Sequence, residues 1–445
     1  MAGVVTLNAG HRLTNNSRLL ALSERARESL FVVPTAFAVA GIAVAAAALA
    51  VDENVADDLS LPLSFASTAA SARSTLSTVA SATMTFAGIA FSVTLLVFQM
   101  SSSQYSPRVI HGLFRDPFNK RIIGLVVGTF TYCLVVLRSV HGPLDEGPGA
   151  AVPTFSTTVS VVLGVAVVLA IVAFIDHNAH RMDVSRILRD VTDQTLERAD
   201  DRWWPEEGAS TAAGPLPTAE PGVVTCASSG WVQQIDAGAL LGAVPEGTTL
   251  SVDVAPGHYA TEGVPLCRVW PAETAEEVRS SVRRAVVTGS TRTMMQDPAY
   301  GVRQLVDVAL RALSPGTNDP TTAQDAIFHL SDALRAVLQA PVPPAELTRE
   351  GPRRLVLPTR SPAEVVDLAF GELRRAAAPH PAVTSYLLAA MATVATALDD
   401  GTATQEARRE LARQARLAVA AAEHDGVAEW DLDALRAQLD DLELA

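Results

Sequence analysis

Residues 31–51 of the chain, FVVPTAFAVAGIAVAAAALAV, form an apolar stretch without a basic or acidic side chain. A helix of roughly 20 such residues is long enough to cross the ~30 Å hydrocarbon core of a bilayer. The stretch is too long for the apolar region of a cleaved signal peptide, and it follows the more polar segment 1–30. We therefore predict a transmembrane helix preceded by a separate N-terminal segment.

Three more apolar stretches follow, at 76–100, 122–140 and 155–175. The composition agrees with membrane spans, because 49% of the 445 residues are hydrophobic although only 5% are aromatic. This apolar content is high for an ordinary soluble enzyme. We predict a membrane protein whose four-helix transmembrane domain covers residues 31–175.

Basic residues are concentrated in alternate segments between the predicted spans. They lie before the first span, between the second and third, and after the fourth: Arg12, Arg18, Arg25, Arg27, Arg108, Arg115, Lys120, Arg121, Arg181, Arg186 and Arg189. The segment between the first two spans is acidic instead, with four carboxylates and one arginine: Asp52, Glu53, Asp57, Asp58 and Arg73. Because basic residues favour the cytoplasmic side, both termini and everything after residue 175 are predicted to be cytosolic.

The second span carries small and polar residues at helical spacing. They are Ser74, Thr78, Ser81, Thr85, Gly88, Ser92 and Gln99. Spacing of three and four residues places them on one face of this second predicted helix, α2 (76–100), and we call that face the α2 stripe. One interpretation is close packing against another helix, and Gly124 and Gly128 of the third span suit the same role. The other is a wet face that lines a pore, with Gln99 at its cytoplasmic mouth.

Residues 176–222 are predicted to form a juxtamembrane helix and then a linker rich in Pro, Gly and Ala. His177 and His180 are neighbours on that helix and could share a metal ion with Asp176 or Asp183. Two histidines are too few to define a metal site, and histidine also suits the headgroup boundary. We therefore expect no metal here.

Residues 223–271 contain short runs typical of strands, VVTCAS, WVQQI, TLSVDV and PLCRVW, separated by turn sequences. They predict a small β-barrel or sandwich module. The order Gly-Trp-Val-Gln, Pro-Gly, Glu-Gly-Val-Pro-Leu is similar to the barrel-sandwich modules of biotinyl and lipoyl carriers. Those carriers attach their cofactor to a lysine, and this region has none. The resemblance implies a docking or assembly module, and no cofactor is expected.

Residues 272–445 are predicted to form a mainly α-helical cytosolic domain. The run 272–289, AETAEEVRSSVRRAVVTG, is predicted to be one helix, with acids early and arginines late. Ser361 to Glu364 form a capping box with proline at the first helical position. Residues 381–398 resemble a fifth span but are too short, so we predict a buried soluble helix.

A set of polar residues surrounds the turn SPGTNDPTT at 314–322. It comprises Arg292, Asp297, Gln304, Asp307, Arg311, Ser314, Asn318, Asp319, Thr321 and Thr322. Asp319 and Pro320 fit the start of a helix, and Gly316 fits the end of the preceding one. The other side chains indicate either a buried Arg–Asp network or an anion or nucleotide site. No catalytic residue is predicted, because no nucleophile–base pair or Gly-rich phosphate loop is present.

Three segments together carry a family resemblance: TFAGIAFSVTLLVFQMSSSQYSPR (85–108), SGWVQQID (229–236) and RTMMQDPAYGVRQLVDVALRALSPGTNDPTTA (292–323). With them the chain resembles, over nearly its whole length, an uncharacterised family of predicted bacterial membrane proteins, known as a numbered domain of unknown function. The resemblance implies a multi-pass protein of the bacterial inner membrane with N-terminal spans and a cytosolic C-terminal domain. It implies no activity, substrate or catalytic residue.

The functional expectation is an oligomeric channel or transport-like protein with the second span near its axis. The alternative is a membrane-anchored sensor or scaffold whose cytosolic domain binds a small anion, a nucleotide or a protein. An enzyme is the least expected class. The expected partners are the lipid bilayer and further copies of the chain, with a small ligand unidentified. The net charge of −14 argues against nucleic acid.

Overall fold

The computed structural model describes residues 31–55, 68–104, 117–140, 153–180, 183–201, 204, 207–349 and 352–441. The predicted N-terminal segment 1–30 and most of the basic segment between the second and third spans lie outside the described residues. The chain divides into two compact units. The first unit comprises Met1–Ser103 and Pro107–Asp183, and the second comprises Gln104–Ser106 and Val184–Ala445.

The first unit contains four long apolar helices: α1 (Val32–Val55), α2 (Ala69–Gln104), α3 (Pro117–Ser139) and α4 (Thr154–His180). Each is long and apolar enough to cross a membrane, so the predicted number of spans is confirmed at the level of helix length and composition. With 36 residues, α2 is about 54 Å long and exceeds the hydrocarbon core.

Helices α1 and α3 approach each other closely because α3 has glycine where α1 crosses it. A Cβ added to Gly124 would lie 2.7 Å from the Phe37 ring, and one added to Gly128 would lie 2.8 Å from the Phe37 carbonyl oxygen. Gly41 of α1 packs in turn on the Gly128 backbone. The GxxxG pair of the third span therefore serves helix packing, as its small size favours.

Polar contacts tie the ends of the helices in the first unit. At one end Asp52 of α1 accepts hydrogen bonds from the Phe155 and Ser156 N–H groups at 2.8 and 2.9 Å, so α1 caps the start of α4. At the other end the side-chain amides of Asn119 and Asn178 bond to each other at 3.2 and 3.3 Å. These contacts give hydrogen-bond partners inside the protein to the N–H groups at the start of α4 and to the two side-chain amides.

The second unit combines two sheets with a set of helices. The strands are β1 (Ala209–Ser210), β2 (Gly222–Thr225), β3 (Gly230–Ile235), β4 (Thr249–Val252), β5 (Tyr259–Ala260), β6 (Pro265–Trp270), β7 (Val286–Gly289), β8 (Glu346–Arg349) and β9 (Arg353–Val356). The six-stranded sheet has the order β1-β8-β9-β4-β6-β2, and the three-stranded sheet has the order β5-β3-β7. All these pairs are antiparallel except β4 with β9, which is parallel.

The helices of the second unit include one before the sheets, α5 (Val184–Ala199), and two short connections between strands, α6 (Ala237–Ala243) and α7 (Thr274–Ala285). The remaining helices are α8 (Ala299–Ala312), α9 (Pro320–Gln339), α10 (Pro362–Phe370), α11 (Leu373–Ala377), α12 (Pro381–Ala397), α13 (Thr402–His424) and α14 (Glu429–Asp441). The C-terminal region is therefore a mixed helical and sheet structure.

The strands predicted in 223–271 form, but the barrel or sandwich predicted from them is not confirmed. They are divided between the two sheets, and β7, β8 and β9 from later in the chain complete both sheets. The single helix predicted for 272–289 is also wrong at its end. It stops at Ala285, and the following VVTG becomes β7 on β3, because β-branched valines favour a strand where a partner is present.

Helix α12 is the apolar segment considered as a fifth span. It has 17 residues and contacts α9, α13 and α14. Val383, Leu387, Leu388 and Met391 are fully buried among these helices. The predicted burial of this helix is confirmed.

Substituting Gly128 tests the α1–α3 contact. Gly128→Val should lower the free energy of unfolding by about 1–3 kcal/mol, because the new side chain must push α1 away. Gly316→Val is the control, since a Cβ at Gly316 meets nothing within 4 Å and Gly316 lies outside both this contact and the α2 stripe. Thermal unfolding of the full chain in nanodiscs measures both. An equal melting temperature for Gly128→Val and wild type would contradict the packing described.

Candidate functional site

The turn between α8 and α9 is accounted for by helix capping. Asp319 is the N-cap of α9, and its carboxylate accepts hydrogen bonds from Thr322 Oγ1 at 2.6 Å and Thr322 N at 3.1 Å. These bonds hold the pKa of Asp319 below its ordinary value. The cap predicted at Asp319 and Pro320 is confirmed. The helix stop predicted at Gly316 is wrong, because Asn318, with φ 44°, is the left-handed residue, and asparagine tolerates that conformation.

The other polar side chains of the turn face solvent. Asn318 and Thr321 are exposed, as is Arg311 at the end of α8. Ser314 Oγ donates to the Arg311 carbonyl oxygen at 2.7 Å, which closes the helix end. The turn therefore encloses no cavity among the residues that the structure describes.

Asp307 and Gln304 are buried on α8, away from the turn. Asp307 forms an ion pair with Arg303 at 2.8 Å, and Arg303 also bonds Glu372 at 2.7 and 3.2 Å. The hydrogen bonds to Glu372 raise the pKa of Arg303. Arg303 sits between two carboxylates and links α8 to the start of α11.

Arg292 and Asp297 contact each other at the loop 290–298, apart from both the α8–α9 turn and the ion pair of Asp307. Asp297 is 5% exposed, and its Oδ2 accepts a hydrogen bond from Arg292 Nε at 2.7 Å. Its Oδ1 accepts one from Arg360 Nη1 at 3.3 Å. The Arg292 guanidinium lies 4.9 Å from the centre of the Tyr300 ring. One buried carboxylate thus serves two arginines, which we call the Asp297 triad with Arg292 and Arg360.

Arg360 was missed by the sequence analysis because it lies 63 residues from Asp297. The one local signal was its position directly before the capping box of α10, where side chains gather near a helix N-terminus. That signal places Arg360 ahead of α10 but does not join it to the loop 290–298.

The turn between β4 and β5 presses backbone against this triad. Gly257 has φ +83°, and a Cβ there would overlap the Asp297 carboxylate. His258 follows at the edge of the site. Partial desolvation, and after it the positive charge of Arg360, lower the pKa of His258 below its ordinary value. The imidazole is therefore neutral at pH 7.

Glutamine side chains attach the same loop to the three-stranded sheet. Ile235 N donates to Gln296 Oε1 at 2.8 Å, and Gln296 Nε2 donates to the Ile235 carbonyl at 3.2 Å. Gln233 Nε2 donates to the Thr291 carbonyl at 2.7 Å. These contacts hold the loop 290–298 to β3 in addition to the ion pairs of Asp297.

A cavity of about 330 Å³ opens beside the Asp297 triad. Its wall is mostly apolar and includes six prolines: Pro256, Pro298, Pro341, Pro343, Pro358 and Pro362. Val337 and Leu338 of α9 and Val365 of α10 add aliphatic surface. The volume and the apolar lining with a few polar groups are those of a small-molecule site. We call this the triad cavity.

Charged and ionisable side chains line part of the triad cavity. They include His258, Asp297, Arg360 and Glu364, and no cysteine or serine lines the cavity among the described residues. The described part of the chain contains no group of three or more His, Cys, Asp or Glu able to hold a metal ion. His177, considered above for a metal, lies with its ring 4.3 Å from the Phe118 ring.

The α2 stripe lies on the outer surface of the first unit. Ser74, Thr78, Ser81, Thr85, Gly88, Ser92 and Gln99 are all exposed. The opposite face of α2 is buried against the unit, with Ala72, Leu76, Ala80, Thr83 and Ala90. Thr78 and Thr85 donate their hydroxyls to the carbonyls of Ser74 and Ser81 at 2.8 and 2.9 Å. Among the described residues, no helix of the first unit packs on the stripe.

Comparison with known proteins places the chain beside sequences of unknown activity. A family model described as "Predicted membrane protein (DUF2254)" matches residues 27–393. An uncharacterised protein of Mycobacterium tuberculosis (strain H37Rv) and one of Mycobacterium bovis are each 33% identical over 345 residues, which is 75% of this chain. The match spans 65% of the length of these relatives. No solved structure matches the chain.

Replacing Asp297 tests whether the triad depends on its buried carboxylate. Asp297→Asn keeps the size of the side chain but leaves two neighbouring arginines without a counter-charge, so unfolding should become easier by roughly 3 kcal/mol. Asp400→Asn is the control: its ion pair with Arg408 is exposed, and its loss should cost below about 1 kcal/mol.

Denaturant unfolding of the full chain in nanodiscs gives both values. Adding Arg292→Gln to Asp297→Asn should restore part of the loss, because it removes one of the two repelling charges. Equal stability of Asp297→Asn and Asp400→Asn would show that the triad contributes nothing to the fold.

Proposed function

The chain belongs to the DUF2254 family of predicted membrane proteins, and from this premise we propose that it is an oligomeric channel or transport-like protein of the bacterial inner membrane, with α2 near the central axis. Its four candidate transmembrane helices supply the membrane part. The observation that carries the proposal is the outward position of the whole α2 stripe.

A face made for lipid alone has no need of small and polar residues at regular spacing. Small side chains let a second helix approach closely, and their hydroxyl groups remain compatible with water. Because Thr78 and Thr85 bond to carbonyls of their own helix, they require no particular partner across an interface. Both properties suit a helix that meets its copies around an axis and faces a narrow lumen.

The second unit is proposed to lie in the cytoplasm. The support is the distribution of basic residues beside the spans, together with the acidic residues Asp52 and Glu53 at the end of α1. In this orientation Gln99 lies towards the cytoplasmic end of α2.

A membrane-anchored sensor is the second candidate function, and the triad cavity favours it. A small ligand bound by the second unit would then control assembly or a partner rather than a pore. The first candidate depends on α2 contacts between copies, and the second depends on binding at the cavity, so separate experiments address them.

Cysteine cross-linking tests the proposed position of α2. Ser81→Cys and Thr85→Cys should form disulfide-linked dimers in native membranes after mild oxidation, because stripes of neighbouring copies face each other. Val165→Cys on α4 is the control, since this side chain is also exposed but lies outside the stripe. Cys133, Cys226 and Cys267 are buried and should contribute little background.

Conductance of the purified protein in planar bilayers then separates a pore from a scaffold. The variant with Ser81, Thr85 and Ser92 changed to leucine should lose conductance, because bulky apolar side chains exclude water from a narrow lumen. No cross-linking above that of Val165→Cys would remove the oligomer. Cross-linking without any conductance in wild type would leave only the sensor or scaffold.

The proposed orientation is tested by labelling with a membrane-impermeant maleimide. In spheroplasts the reagent should modify Glu53→Cys and leave Asp400→Cys unmodified, and inverted vesicles should give the opposite result. Both side chains are exposed, so burial does not explain a difference. Modification of Asp400→Cys in intact spheroplasts would reverse the proposed orientation.

A further inference from the structure

The triad cavity has the features of a site for one class of ligand. We infer that it binds a small organic acid with an apolar body, whose carboxylate pairs with Arg360 while its body fills the proline-lined pocket. This inference deepens the sensor function proposed above and rests on it. It does not depend on the pore.

The shape and wall of the cavity select the body of the ligand. Proline rings are apolar and their backbone has little freedom, so a wall with six of them is largely formed before a ligand arrives. Val337, Leu338 and Val365 line the same space and present no hydrogen-bonding side chain. A compact hydrocarbon or aromatic group gains by entering, whereas a highly hydroxylated molecule would leave its polar groups unpaired.

The charged side chains of the Asp297 triad determine which polar group of a ligand can bind. Arg292 and Arg360, both partly exposed, share the single buried carboxylate of Asp297, so the triad carries a net charge of about +1. Arg292 is the closer partner, at 2.6 Å, and Arg360 reaches the carboxylate with Nη1 at 3.3 Å. No other hydrogen bond of the Arg360 guanidinium is made among the described residues. A ligand carboxylate can take the fork of donors that remains.

The surrounding groups agree with a single negative charge. The N-terminal ends of α8 and α10 border the cavity at Pro298 and Pro362, and their dipoles favour an anion. His258 is neutral at pH 7 and can donate or accept one hydrogen bond. It therefore adds no charge that would attract a second anionic group.

Two acidic side chains at the rim do not cancel this preference. Glu364 is exposed, and its Oε2 already accepts a hydrogen bond from Ser361 N at 2.9 Å within the capping box. Asp201 is paired with Arg198 at 2.8 Å. Because solvent screens exposed charges, we expect the more buried triad to outweigh these two carboxylates inside the cavity.

Binding is tested with the full chain in phosphatidylcholine nanodiscs, which offer no net anionic lipid. The probes are phenylacetate, its neutral analogue phenylacetamide, the zwitterion phenylalanine, and inorganic phosphate, each followed by calorimetric titration. Phenylacetate should bind, and phenylacetamide, phenylalanine and phosphate should bind at least about tenfold more weakly. The amide lacks the charge, the amino acid adds a cation beside the arginines, and phosphate lacks the apolar body.

Variants assign the binding to the cavity. Arg360→Gln should weaken phenylacetate binding roughly tenfold to a hundredfold, while the one-to-one pair of Arg292 with Asp297 keeps the loop folded. Arg416→Gln, an exposed arginine on α13 away from the cavity, should bind as wild type. Val337→Trp should abolish phenylacetate binding, because the larger side chain fills the cavity while every charged residue stays in place. This variant tests the site independently if Arg360→Gln does not fold.

The possible results distinguish a failure of the organic-acid assignment from a failure of the proposed sensor function. Equal affinity for phenylacetamide and phenylacetate, or unchanged affinity in both Arg360→Gln and Val337→Trp, overturns the assignment of an organic acid. In the first case the cavity still binds a small molecule, so the sensor function stands. If none of the four probes binds, the organic-acid assignment falls, whereas the sensor function falls only if a broader metabolite screen also finds no ligand that Val337→Trp displaces.

Discussion

The carboxylate of Asp297 is the point at which three separate segments of the second unit are fixed. It accepts hydrogen bonds from Arg292 in its own loop and from Arg360 ahead of α10, and Gly257 brings the turn between β4 and β5 against it. Burying a carboxylate is costly unless partners compensate its desolvation, so the ion pairs with Arg292 and Arg360 favour the assembly of these segments. The sheets, the helical layer and the triad cavity therefore meet at one side chain.

The two units differ in where their polar contacts lie. In the first unit polar contacts between helices lie at helix ends, as with Asp52 at the start of α4, and α1 and α3 are held by close backbone contact at Gly124 and Gly128. In the second unit polarity is concentrated in ion pairs that join segments distant in sequence. The functional proposals follow this division: a surface of small residues on α2, and an enclosed charge beside an apolar cavity.

Features set by nearby residues could be predicted from the sequence, and features set by distant pairing could not. Hydropathy located the four helices, and capping chemistry located the starts of α9 and α10 at Asp319 and Ser361, because each depends on a few neighbouring residues. Strand β7 was taken for helix because its partner β3 lies about fifty residues earlier. Arg360 was missed for the same reason. For the α2 stripe, spacing predicted a shared face, but only packing of the opposite face revealed that it points outward.

The parallel pairing of β4 with β9 has a consequence for the order in which the chain folds. Thr249 pairs with Arg354, so one edge of β4 waits for a strand that leaves the ribosome about a hundred residues later. Such long-range pairing slows folding, and an unpaired strand edge invites contact with other chains in the meantime. By then the four apolar helices have already been synthesised and are available for insertion. The second unit therefore completes its larger sheet only after the apolar helices are available for insertion, so the open edge of β4 is exposed during the stage at which the chain can enter a membrane.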